Sequence, residues 1–77
     1  MSNTMIDVVL HIDETTTHDE REDLRDMLLH KNGVMTADCR DDRPHLMIVG
    51  YDPENINNSD LLAAVHNRGY HAELIAM

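Results

Sequence analysis

Residues Met5 to Ile12 alternate so regularly that they leave little choice of local structure. Ile6, Val8, Leu10 and Ile12 fall on one side, and Asp7, Val9 and His11 on the other. A period of two in a β-branched stretch is a strand with one face against a core. Val9 among the opposite positions predicts a second face that is also partly covered. The chain has only 77 residues, so this strand must find its partners within one small domain, residues 1–77.

The remaining punctuation is equally local. Thr17-His18-Asp19-Glu20 has the form of a capping box, Thr17 at the N-cap and Glu20 reaching back to it. Acidic residues fill the first turns, where the helix dipole favours them. Leu24, Met27 and Leu28 form an apolar stripe that Asn32-Gly33 ends. Val34 to Arg40 reads as a strand with Val34, Ala37 and Cys39 inward. Asp41 to Pro44 reads as a hairpin loop, and His45 to Tyr51 as a strand apolar on both faces and therefore central. Asn57 to Asp60 offers a second cap before Leu61, Leu62, Ala64 and Val65 at helical spacing. Gly69 closes that helix, and His71 to Ala76 is a last short strand. The order β-α-β-β-α-β predicts an α+β, ferredoxin-like two-layer sandwich. Right-handed crossovers place a four-stranded antiparallel sheet under two helices on one face, with strand one beside strands three and four.

Charge excludes several functions. Fifteen Asp and Glu against six Lys and Arg give a formal net charge of −9. Nucleic acid and anionic membrane surfaces both recruit clustered cations, so neither is an expected partner. Nothing approaches the ~20 apolar residues of a membrane span, so no membrane insertion is expected. The single Cys39 forms no internal disulfide. With residues 1–4 lacking the regions of a secretory signal, cytoplasmic placement is expected. Lys31 is the sole lysine and Asp outnumbers Glu ten to five, a balance that suits solubility at high salt, where screening weakens self-repulsion.

Six histidines raise the question of a metal. In the inferred topology His11 and His71 sit at adjoining strand ends, with His18 and Asp13 on the neighbouring loop. Three imidazoles and a carboxylate could hold Zn(II), Ni(II), Co(II) or Cu(II); solvated histidines at strand ends are the alternative. His30 and His66 stand near helix C-termini, where the dipole suits them. Cys39 reads as a small core hydrophobe, Met27 and Met47 as packing, and Met1, Met5 and Met77 as terminal. The seven carboxylates between Asp13 and Asp26, set against Arg21 and Arg25, read as a solvated helix face. No activated nucleophile or phosphate loop can be named. The open sheet face carries Val9, Leu46, Ile48 and Ile75, an apolar set that fits a protein partner or a second copy. Scattered surface hydrophobes are the other reading.

Leu28 before Asn32-Gly33-Val34, then Val49-Gly50-Tyr51-Asp52-Pro53, Ala64-Val65 and Gly69-Tyr70 together resemble the heavy-metal-associated domain of small copper chaperones and metal-transporting ATPases. The resemblance runs from about Ile6 to Leu74. It implies a loop after strand one with the pattern Gly-Met-x-Cys-x-x-Cys, whose thiolates bind Cu(I). Here Glu14 and Thr15 stand at the Gly-Met positions, and Thr17 and Glu20 at the cysteines. A hydroxyl and a carboxylate do not replace thiolates for a soft cation. The expected function is therefore a non-enzymatic domain with a degenerate Cu(I) site, acting as a protein-binding or assembly module through its open sheet face. The alternative is a divalent-metal-binding protein using His and carboxylate ligands.

Overall fold

The alternation of the first strand carries directly into burial. In β1 (Ile6–Ile12), Val8, Leu10 and Ile12 are buried and Asp7 is exposed. The computed structural model describes residues 5–76, so Met1 and Met77 lie outside it. After β1 come α1 (His18–Leu29), β2 (Val34–Arg40), β3 (Arg43–Tyr51), α2 (Asn58–Asn67) and β4 (Ala72–Ala76). The strands form one antiparallel sheet in the order β2-β3-β1-β4. This is the ferredoxin-like sandwich.

The helices close the inner face. Leu24 and Leu28 of α1 and Leu61, Ala64 and Val65 of α2 pack with Val8, Leu10, Ile12, Met47, Val49 and Tyr51 of the sheet in one cluster. Leu24 and Leu28 are one helical turn apart and fully buried, and truncating either to Ala should cost about 2–5 kcal/mol. Met27 is partly buried against this core and Met47 fully so. At the end of α1, Gly33 adopts φ +99°, a conformation that costs any residue with a Cβ.

Strand β2 has the expected bounds and inward residues, whereas the starts of two other strands differ from expectation. The inward residues of β2, Val34, Ala37 and Cys39, are spaced by three and then two. A register shift between Val34 and Thr36 accommodates this, leaving Met35 exposed. Strand β3 begins at Arg43, not His45, because Arg40 pairs with Arg43 across a tight Asp41-Asp42 turn. Pro44 is tolerated there because it lies beyond the last β1–β3 pair, His11 with Leu46, so its missing N–H interrupts no ladder on that side. Strand β4 begins at Ala72, one residue late, since the His71 N–H donates to Glu14 Oε1 at 2.8 Å.

Candidate functional site

The loop between β1 and α1 ends in a closed capping box. The Glu20 N–H donates to Thr17 Oγ1 at 3.1 Å, and the Thr17 N–H donates to Glu20 Oε1 at 2.8 Å. The Tyr70 hydroxyl donates to Glu20 Oε2 at 3.3 Å. The Thr17 N–H bond, above all, holds the Glu20 carboxyl below its ordinary range. The sequence resemblance sets the family's two thiolates against Thr17 and Glu20. Here both side chains satisfy N–H groups that the helix start would otherwise leave open.

Arg21 anchors the same loop from below. Its guanidinium donates to the Thr16 carbonyl at 2.6 Å and to Asp41 Oδ1 at 2.7 Å, and Arg21 is 6% exposed. The acidic helix is therefore not a solvated face throughout. One of its two arginines is a buried strap between the β1–α1 loop and the β2–β3 turn. Nothing local in the sequence signals this, because the Asp41 partner lies twenty residues on.

The expected histidine set is divided among three places. His18 Nδ1 donates to Asp41 Oδ1 at 2.8 Å, and its Nε2 lies 3.6 Å from Glu22. The Asp41 hydrogen bond raises the His18 pKa, and the same bond lowers that of Asp41, with Arg21 adding to it. His71 turns to Glu14, Nδ1 to Oε2 at 2.5 Å, and meets the His66 ring edge-on. Hydrogen bonds from the His71 side chain and backbone bring the Glu14 carboxyl down to about 2. His71 thus does not pair across the sheet with His11: the register sets Glu73 opposite His11 and Ala72 opposite Ile12.

His11 and Asp13 do come together, Nδ1 to Oδ1 at 3.2 Å. Glu73 joins them, and one ligand atom from each of the three residues lies within 4.8 Å of the others. The His45 ring stacks on His11 with centroids 5.6 Å apart and planes 16° from parallel. The strand alternation places Glu73 on the open face, but its pairing with His11 follows only from the register. Among the remaining histidines, His30 caps α1, its Nδ1 donating to the Asp26 carbonyl at 2.7 Å.

On the open face, Ile48 is 44% and Ile75 51% exposed, with Val9 and Leu46 half-buried. Val9, Leu46 and Ile48 line a shallow groove with Asp38, Arg40 and Arg43. Asp7, Asp38 and Glu73, all exposed, border the apolar strip. Cys39, on the opposite side of β2, packs partly buried against the core, and burial pushes its thiol pKa up. It is a neutral packing group rather than a thiolate.

No protein-family model matches the sequence, and no curated protein does. Solved structures do match. The N-terminal domain of a potential copper-translocating P-type ATPase from Bacillus subtilis, solved in the Cu(I)-loaded state, superposes with TM-score 0.86 at 23% identity, covering 95% of this chain and 90% of that one. Oxidized MerP from Ralstonia metallidurans CH34 gives 0.82 at 17%, covering 92% and 97%. The yeast copper transporter domain Ccc2a gives 0.79 at 19%, covering 90% and 93%. The chain has the heavy-metal-associated-like fold.

Proposed function

We propose that this chain is a non-catalytic, cytoplasmic protein-binding module on a heavy-metal-associated-like frame. Its soft-metal position is given over to helix capping, and its open sheet face is the contact surface. The capping box carries the first half of the reading: the Thr17 hydroxyl and Glu20 carboxylate are hard oxygen donors already engaged with backbone N–H groups. The Thr17 hydroxyl has no base to activate it, and burial keeps the Cys39 thiol protonated. The second half rests on the strip of Val9, Leu46, Ile48 and Ile75. Arg40 and Arg43 also line the groove, the first paired with Asp42, but the carboxylates of Asp7, Asp38 and Glu73 and the net charge of −9 favour a basic protein with apolar anchors over a second copy, which would add its own negative charge.

Two measurements test this. In competition with a chromophoric Cu(I) chelator the chain should take no Cu(I), whereas the variant Thr17→Cys/Glu20→Cys should. Cu(I) capture by the unmodified chain would overturn the degenerate-site reading. For docking, the chain and its Ile48→Asp variant serve as baits in a lysate of the source cells. A basic protein should be retained by the first, released by salt, and lost from the second while circular dichroism shows both folded. Equal retention by both, or concentration-dependent self-association as the only interaction, would overturn the proposed contact.

A further inference from the structure

We propose that His11, Asp13 and Glu73 form a binding site for a borderline divalent cation, Zn(II) or a neighbour in its series, at the C-terminal end of β1. The site is separate from the Thr17–Glu20 position and uses neither of its residues, and it stands independently of the docking reading.

The backbone assembles these three residues. The β1–β4 register sets His11 and Glu73 directly opposite each other, and Asp13 follows His11 by two residues, immediately after the strand. The Asp13 N–H donates to the His71 carbonyl at 2.8 Å, which ties the end of β1 to the start of β4. One donor atom from each residue lies within 4.8 Å of the other two. Ligand atoms bound to Zn(II) at about 2.0–2.2 Å are roughly 3–4 Å apart. Side-chain rotation of about an ångström therefore closes the site without moving the sheet.

The imidazole is oriented in advance. His45 Nδ1 donates to the Ile12 carbonyl at 2.7 Å, which fixes that ring, and the His45 ring stacks on His11. With the ring proton on Nε2, His11 Nδ1 turns its lone pair toward Asp13 Oδ1, 3.2 Å away, so the two can face one ion.

Charge and donor type then select the ligand. Two carboxylates and a neutral imidazole balance a dication. Among the described residues neither Asp13 nor Glu73 is paired with an Arg or Lys, so no fixed cation has to be displaced. One nitrogen and two oxygens suit Zn(II), Co(II), Ni(II) or Cu(II) and do not suit Cu(I). Water completes the coordination.

Calorimetric titration with Zn(II) alone at pH 7 tests the site, with amide NMR shifts followed in parallel. A single 1:1 isotherm is expected, with shifts centred on His11, Asp13 and Glu73. Glu73→Gln, conservative and exposed, and His11→Ala should each weaken binding by about 10-fold or more. The double variant His18→Ala/His71→Ala should bind as the parent does. Absence of heat and of shifts at millimolar Zn(II) would overturn the site. So would binding that survives in Glu73→Gln, or that is lost in the His18→Ala/His71→Ala variant.

Discussion

Arg21 reaches from the first turns of α1 to the carboxylate of Asp41, 2.7 Å away across the molecule's edge, while its other terminal nitrogen holds the Thr16 carbonyl. The arginine is buried and the aspartate is not. Removing Arg21 therefore strands no buried charge, but it takes away the buried link between two segments that the exposed His18–Asp41 bond and the Thr16 hydroxyl to the Pro44 carbonyl also join. Nε, also buried, finds no partner among the described residues, so the strap depends on the two terminal nitrogens.

Arg21→Met keeps the apolar stem and removes both bonds. It should cost about 2 kcal/mol, the scale of charged hydrogen bonds, read as a lower urea midpoint. Arg21→Lys should recover little, since one ammonium does not span two acceptors in a fixed fork. Full stability in both variants would show that the strap is dispensable.

At the neighbouring cap, Thr17→Ala should cost about 1 kcal/mol, a fall of roughly 4–8 °C in Tm for a domain of this size. Thr17→Ser keeps the hydroxyl and should lie close to the parent. An unchanged Tm in Thr17→Ala would mean that the box contributes nothing to holding the helix start.

Which of these features could be read in advance depends on how far apart the interacting residues lie. The alternation of Ile6 to Ile12 and the caps at Thr17 and Asn57 are relations within a few residues, so strands, helices and both capping boxes are all legible. Burial of Arg21 is not, because its partner Asp41 belongs to another turn. The histidines fail to converge for a similar reason. A sheet fixes side-chain placement only through its register, and a strand starting at Ala72 rather than His71 turns His71 toward Glu14 and His66. The same register brings Glu73, which no spacing motif marks, beside His11.

The two positive-φ glycines should respond differently to the same substitution. At Gly33 a Cβ would meet Ile56 Cγ2 at 2.8 Å and Asn55 Cβ at 2.9 Å, whereas at Gly69 nothing lies within 4 Å. Gly69→Ala should lose only the conformational preference, about 1–2 kcal/mol. Gly33→Ala should lose that and more, because the turn after β3 must move. Equal losses by denaturant titration would show that the loop at Asn55 and Ile56 yields freely.

Net charge governs the response to salt. With −9 on 77 residues, self-repulsion among the carboxylates outweighs what the exposed ion pairs return, and screening relieves it. Tm should rise between low and molar NaCl. A Tm that is flat or falls would mean that the pairs at Asp41 and Asp23 matter more than the bulk charge.

His18 and Asp41 make the folded state sensitive to pH in a defined window. The hydrogen bond from His18 Nδ1 to Asp41 raises the histidine above its ordinary 6.5 and lowers the aspartate below its ordinary 3.8, with Arg21 also on Asp41 and Glu22 and Asp19 also facing His18. A raised histidine stabilises the fold fully below 6.5 and loses that contribution as pH climbs through its folded pKa. A lowered aspartate contributes fully above 3.8 and loses it as pH falls through its folded pKa. The pair is thus at full strength from about pH 4 to 6.5. In an NMR titration of the His18 ring, Asp41→Asn should bring the pKa back toward 6.5. The variant's stability should fall most relative to the parent within that window, with the gap narrowing above it. A His18 pKa unmoved by Asp41→Asn would show that the hydrogen bond does not hold the proton.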